Sequence, residues 1–317
     1  MRNSITTTVL SRDGRLALRA GFSLVELLVA AALSLLVMAA VTALLGDFGR
    51  SVSDGRAIVD LNSRMRNVAW RLRQDLTGLT CVPAALVRAE ENAGYFHVIE
   101  GPLTAAGTVP PPAAPAPYDA DDVDDILAFT TSSPSAPFVG RLEGAKGFES
   151  PTAEVIWFCV YTGVNYKTYK LYNLHRRQLL VSATPEAGVF ANNIFAPNAP
   201  PVVGDPRPSD ISYSGTQVNS LGDLSTTANR FLATAGVNPK LTGTREGEDV
   251  LLGNVIAFDV RLIDSAAAAV TDQSFETRVD GNPATAPMRG IDVRIRSIEP
   301  TTGQIRELKV VHSFGAR

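Results

Sequence analysis

Gly21-Phe22-Ser23-Leu24-Val25-Glu26 opens the decisive stretch, and LLVAAALSLLVMAAVTALL follows it to Leu45. From Phe22 to Leu45 the only formal charge is Glu26, and no proline or glycine interrupts the run. At about 1.5 Å of rise per residue, a helix of this length crosses a hydrocarbon core of roughly 30 Å. Residues 1–21 carry Arg2, Arg12, Arg15 and Arg19 against Asp13. A basic flank before a single apolar run places that flank in the cytoplasm by the positive-inside rule.

Three readings compete for this segment. An ordinary secretory signal has a basic start and an apolar core, but its cleavage follows the core at small residues. A plain signal anchor explains the length but not Glu26, because an ionisable group inside a span is costly and marks function. The third reading accounts for every feature. GFSLVE resembles the type IV prepilin motif: Gly21 before the scissile bond, Phe22 after it, and Glu26 as fifth residue of the mature chain. Gly21 has no side chain, so extended backbone can lie close in a peptidase cleft. The cut would leave a free amine on Phe22. Glu26, one helical turn away on the same face, can neutralise that amine or the amine of a neighbouring subunit. Ser23 caps the helix or packs. The resemblance also implies N-methylation of Phe22 by prepilin peptidase, with other pilin or pseudopilin subunits, an inner-membrane assembly platform and membrane lipid as partners.

Working outward, residues 46–79 continue the helix as an amphipathic stem. Apolar residues recur at Ile58, Leu61, Met65, Val68, Leu72 and Leu76, spaced by threes and fours. Arg56, Arg64, Arg66, Arg71, Arg73 and Asp75 occupy the other faces. The stripe predicts a helix lying on its own globular domain. Gly46, Gly49 and Gly55 each cost about 1 kcal/mol in a helix interior, which predicts a bend or melted turn there.

Residues 80–317 read as a β-rich domain. Strands are predicted at Tyr95–Ile99, Ile126–Thr131, Glu154–Tyr161, Lys170–Leu174, Gln178–Ser182, Leu251–Ile263, Gly290–Ser297 and Gln304–His312. Ile291, Val293 and Ile295 alternate with Asp292, Arg294 and Arg296. Such alternation means one wet face and an antiparallel sheet. Thr301-Thr302-Gly303 reads as a hairpin loop. The fold class is therefore α+β, a long N-terminal transmembrane and amphipathic helix on an antiparallel sheet. The loops Thr104–Pro117 and Ala196–Pro208 are rich in proline and alanine and should be extended and exposed. Gly204–Gly247 is a polar insertion with one helical stretch, Leu224–Thr234.

The ordered blocks carry a second resemblance. GYFHVIEGP at 94–102, DDVDDILAFTTSSPSAPFVGR at 121–141, AEVIWFCVY at 153–161 and LHRRQLLV at 174–181 resemble long pilin-like proteins of planctomycete- and verrucomicrobia-type bacteria. The layout, with its late VIAFDVRLID strand, is similar to PilW-type minor pilins and to the J pseudopilin of type II secretion. The implied function is a structural subunit, minor in abundance, of a type IV pilus or type II secretion pseudopilus. Its implied place is the inner membrane, single-pass, with the C-terminal domain periplasmic. A membrane-anchored binding protein that uses the helix only as an anchor is the alternative.

The rest of the sequence narrows the chemistry. The 317 residues are 45% apolar and carry a net charge of -3, with no basic face of the kind nucleic acid requires. GxSxG, GxxxxGK[ST] and HExxH are absent, and His97, His175 and His312 are scattered, so no enzyme is expected. No cofactor is expected either. His175, Arg176 and Arg177 read as surface residues. Asp119, Asp121, Asp122, Asp124 and Asp125 are dense enough in oxygen ligands for calcium, but lack EF-hand spacing. The favoured reading is a solvated acidic loop. Cys81 and Cys159 would share an oxidising compartment, where a disulfide can form. Cys159 lies in an apolar strand, where a thiol packs equally well. Both readings stand.

Overall fold

The computed structural model of the chain describes residues 23–101, 122–141, 147–182, 210–214, 217–231, 248–264, 270–282 and 287–315. Gly21, Phe22, Asp119, Asp121 and the loops Thr104–Pro117 and Ala196–Pro208 lie outside the described residues. The chain divides into two compact units, Met1–Gly55 and Arg56–Arg317. One helix, α1 (Leu24–Thr77), contributes to both.

In the first unit every described residue is exposed, including Leu27, Leu28, Leu35, Leu36, Leu44 and Leu45. By length and composition this part of α1 is apolar enough to cross a membrane. The two hydroxyls of the apolar run from Leu24 to Leu45 are bonded back to the helix: Ser34 Oγ donates to Ala30 O and Thr42 Oγ1 to Met38 O, both at 2.8 Å. Back-bonding of this kind leaves no unsatisfied donor on the apolar surface. The helix continues through Gly46, Gly49 and Gly55 without the predicted melted turn. Nothing lies within 4 Å of where their Cβ atoms would be, so these glycines serve no close contact.

In the second unit α1 buries Leu61, Met65, Val68, Ala69, Leu72, Asp75 and Leu76, the predicted stripe with one acid added. It packs on the main sheet of a domain whose strands are β1 (Phe96–Ile99), β2 (Ile126–Ser132), β3 (Phe138–Arg141), β4 (Gly147–Ser150), β5 (Thr152–Tyr166), β6 (Tyr169–Val181), β7 (Tyr213–Ser214), β8 (Gln217–Val218), β9 (Glu248–Ile263), β10 (Val270–Thr271), β11 (Phe275–Glu276), β12 (Gly290–Glu299) and β13 (Gln304–Ser313), with β3–β4 and β7–β8 forming separate two-stranded ribbons. The main sheet runs β11-β1-β2-β5-β6-β9-β12-β13, with β10 added to β9. All its pairings are antiparallel. The α+β class follows from this arrangement.

Side chains alternate between two cores. Phe96, Val98, Leu127, Phe129, Val155 and Trp157 face the helix core, with Leu72 and Leu76 among their partners. Tyr95, Ile126, Ala128, Ile156 and Phe158 face a second core closed by Leu221 and Leu224. Those two leucines lie on α2 (Leu221–Leu224), whose start is fixed by a capping box between Ser220 and Asp223. Strands buried on both faces read as unbroken apolar runs. That is why β2 and β5 lack the alternation seen in β12.

Two differences from expectation have simple causes. The stretches Lys170–Leu174 and Gln178–Ser182 are one strand, β6, which passes through His175-Arg176-Arg177 because partners bury those side chains. The predicted helix Leu224–Thr234 is interrupted: α2 ends at Leu224, a 3-10 turn follows at Thr227–Asn229, Phe231 is helical again, and residues 232–234 lie outside the described residues. At the other end of the sheet, Gly303 takes φ +70 in the β12–β13 turn, as the Thr-Thr-Gly loop requires.

The end of α1 is stitched to β2. Gly78 N–H donates to Gln74 O at 3.2 Å, Gly78 O accepts from Ser132 N–H at 2.7 Å, and Leu79 bridges Thr131. A Cβ on Gly78 would collide with Ser132 O and Thr131 Oγ1, so only glycine permits this approach.

Candidate functional site

At the start of α1, Ser23 and Glu26 hold each other. Glu26 N–H donates to Ser23 Oγ at 3.2 Å, and Ser23 N–H donates to Glu26 Oε2 at 3.1 Å. This reciprocal capping box satisfies two donors that a helix start leaves open. It also brings the Glu26 carboxylate back over the N-terminal end, toward the residue that precedes Ser23. The negative charge there complements the helix dipole.

The motif of this segment has a counterpart among known proteins. Residues 16–42 match the prokaryotic N-terminal methylation motif. The matched span takes in the Gly21–Phe22 junction, Glu26 and most of the apolar run. No curated protein and no solved structure matches the chain. The motif supports a type IV pilin-like or pseudopilin role, structural in kind, with processing by prepilin peptidase and assembly with other pilins as its corollaries.

A second polar constellation locks the helix to the sheet. Asp75, 3% exposed, accepts from Arg176 Nε at 2.7 Å and from Arg176 Nη2 at 2.9 Å, a bidentate pair. Trp157 Nε1–H donates to the same carboxylate at 3.2 Å. Trp157 and Arg176 are directly opposite on β5 and β6, so Asp75 caps a cross-strand pair. Gln178 Oε1 accepts from Arg176 Nη1 at 3.1 Å and from Arg71 Nη2 at 3.3 Å. Burial pushes the Arg71 guanidinium down, and nearby Arg176 adds to it. The expected surface triplet is thus buried: Arg176 on Asp75, Arg177 over the Phe231 ring at 4.6 Å, and His175 stacked on Phe158 at 5.4 Å.

Behind the sheet lies a fully buried acid, Glu154. It accepts from Tyr95 OH and Ser212 Oγ, each at 2.7 Å, and from Phe231 N–H at 3.1 Å. Burial raises its pKa and that of Tyr95. Arg230 stacks on Tyr95 at 4.3 Å. With donors on both oxygens, Glu154 is a satisfied structural carboxylate.

The acidic run at 119–125 is not a solvated loop where it is described. Asp122 and Asp125 are buried, 5% and 0% exposed. The reason is the neighbouring strand: Phe258 N–H donates to Asp122 O at 2.6 Å, and Val260 N–H donates to Asp125 Oδ2 at 2.7 Å. Glu100, at the end of β1, joins them. Burial is the first cause that raises Glu100 and Asp122 to about 8 and Asp125 to about 10, and the neighbouring carboxylates add to it.

The cysteines are far apart in this fold. Both are thiols, Cys81 buried after α1 and Cys159 half-buried on β5, where burial raises its pKa. Leu79 bridges Thr131, which faces Ala153, six residues from Cys159. That is roughly 20 Å of strand at about 3.3 Å per residue. The two residues from Leu79 to Cys81 do not close such a gap to the roughly 7 Å a disulfide needs. The histidines are equally dispersed: His97 beside Glu276 at 3.5 Å, His175 on Phe158, and His312 beside Phe314.

Proposed function

We propose that the chain is a structural subunit, minor in abundance, of a type IV pilus or type II secretion pseudopilus. Prepilin peptidase cuts it after Gly21 and methylates the new amine of Phe22. The observation that carries this reading is a coincidence in one segment. The methylation motif at 16–42 overlaps a helix that is apolar enough to cross a membrane and carries Glu26 in its first turn.

The chemistry follows from that arrangement. An amine on Phe22 would sit beside the Glu26 carboxylate, which already leans toward the N-terminal side through Ser23. In a bundle of such helices, burying either charge alone costs several kcal/mol, so pairing selects one axial register between subunits. The basic residues of 1–21 favour an inner-membrane anchor with the C-terminal domain periplasmic. The large antiparallel sheet behind an amphipathic stem supports kinship with the PilW-type and J-type layouts. The planctomycete- and verrucomicrobia-type family remains the reading supported by the sequence blocks between residues 94 and 181.

The test is mass spectrometry of the membrane-extracted protein, followed by shearing and fractionation of filaments. Mature protein starting at N-methyl-Phe22 and co-purifying with other pilins is expected. A start beyond residue 40 would return the segment to an ordinary secretory signal. Correct processing with all protein retained in the inner membrane would favour an anchored binding protein.

A further inference from the structure

Glu100, Asp122 and Asp125 come from two separate stretches of chain, yet each brings one carboxylate oxygen within 4.8 Å of the other two. Oxygens bound to one calcium ion lie about 2.3–2.6 Å from it, so a set with this mutual spacing fits around a single ion. The charge balance points the same way. Among the described residues, Arg261 is engaged by Asp259 at 2.9 Å and Asp272 at 3.8 Å, and Arg294 by Asp292 at 3.2 Å. Asp125 receives two backbone donors, Val260 N–H at 2.7 Å and Gly101 N–H at 3.4 Å.

Asp122 supplies the independent observation. The residue is 5% exposed, its carboxylate lies against that of Asp124, and its Oδ1 atom accepts no hydrogen bond. A carboxylate oxygen buried with no donor costs several kcal/mol unless a cation or proton meets it. Asp122 is also common to both close carboxylate triads of this corner, the second with Asp259 and Asp272. Gly101 completes the cradle: a Cβ there would displace the Asp124 carboxylate, so the backbone can approach only without a side chain. Glu100 is half-buried.

We propose that Glu100, Asp122 and Asp125 form a binding site for one calcium ion, joining the end of β1 to the start of β2 against β9. The ion ties together segments that are distant in sequence, with the Asp122 Oδ1 atom as the oxygen that receives no donor from the described residues.

The experiment uses the full chain in detergent, stripped of metal on a chelating resin. Equilibrium dialysis with radioactive calcium should give about one saturable site per chain. Addition of about 1 mM calcium should raise the melting temperature by several degrees. Asp122→Asn should abolish saturable binding and melt no lower than the stripped wild type, since a buried charge is removed. Glu100→Gln, at the half-buried rim, folds regardless and should weaken binding about tenfold or more. Asp280→Asn, an exposed acid elsewhere, should bind as wild type. No saturable binding up to about 10 mM calcium, or equal binding by the Asp122 and Glu100 variants, overturns the proposal. The carboxylates would then be sharing protons only.

Discussion

Replacing Asp75 with alanine should loosen the joint between α1 and the sheet more than any other single polar change. The substitution leaves the Arg176 guanidinium, 1% exposed, held by Gln178 without its carboxylate, and leaves Trp157 Nε1–H without its acceptor. Breaking a buried, hydrogen-bonded ion pair by removing one partner costs about 3–5 kcal/mol. For a unit of this size each kcal/mol moves the melting temperature by about 2–4 °C, so a fall on the order of 10 °C is expected. The assay is thermal unfolding of the full chain in detergent, followed by tryptophan emission. Trp157 is fully buried and Trp70 is exposed, so the change in emission reports mainly on Trp157. The double variant D75L/R176M should recover most of the loss, because both charges are gone and apolar groups fill the space. It should not recover all of it, because Trp157 Nε1–H still lacks an acceptor. A loss below about 1 kcal/mol in D75A, or a double variant no better than the single, refutes the account of Asp75 as a paired internal charge.

Gly21→Val should leave the precursor uncut, since a branched side chain crowds the scissile backbone; an immunoblot for precursor and mature forms decides it. Glu26→Val should preserve membrane insertion but lower recovery in sheared filaments at equal membrane abundance, with Glu26→Gln intermediate; equal recovery of all three removes Glu26 as an assembly determinant. Leu72→Ala, at a fully buried contact of α1, should cost about 2–5 kcal/mol in denaturant unfolding. His97 is held down to about 4, chiefly by burial, with Glu276 opposing and Arg230 assisting. The neutral form is therefore the native one, its stabilisation is present above about 6.5, and it is lost as pH falls from about 6.5 to about 4. His97→Gln should remove an acid destabilisation on the order of 2–3 kcal/mol, read as the difference between wild-type and variant unfolding at pH 7 and pH 4.5.

The parts of the fold legible in the sequence are those carried by local period. The apolar run from Leu24, the stripe from Leu61 to Leu76 and the alternation in β12 each state their environment within a few residues. What was not legible depends on partners far along the chain. Asp75 reads as one more solvent-facing charge, because its partner Arg176 is 101 residues away. His175-Arg176-Arg177 reads as surface and splits β6 in two for the same reason. The run around Asp122 reads as a wet loop because the strand that buries it, β9, arrives 135 residues later through Val260 N–H. One signal was present and usable: Ser220 followed by Asp223 is a capping-box pattern, and it marks the true start of α2. At the N-terminal site the motif residues were all readable, and the Ser23–Glu26 pairing adds the direction in which the carboxylate points.

The sheet ends on β13, a ten-residue strand paired on one side only, by β12, among the described residues. Such an edge offers a row of backbone donors and acceptors to any strand of a neighbour. If the apolar helix anchors the chain in a membrane, that exposure matters more, because tethered copies meet at a high effective concentration. β13 answers with charge: Arg306, Glu307 and Lys309 stand along it, with Lys309 held over Asp292 at 3.2 Å. A strand arriving at this edge would have to displace the water held by these charges. Charge of this kind makes β13 a poor template for strand addition, even though its backbone edge is open.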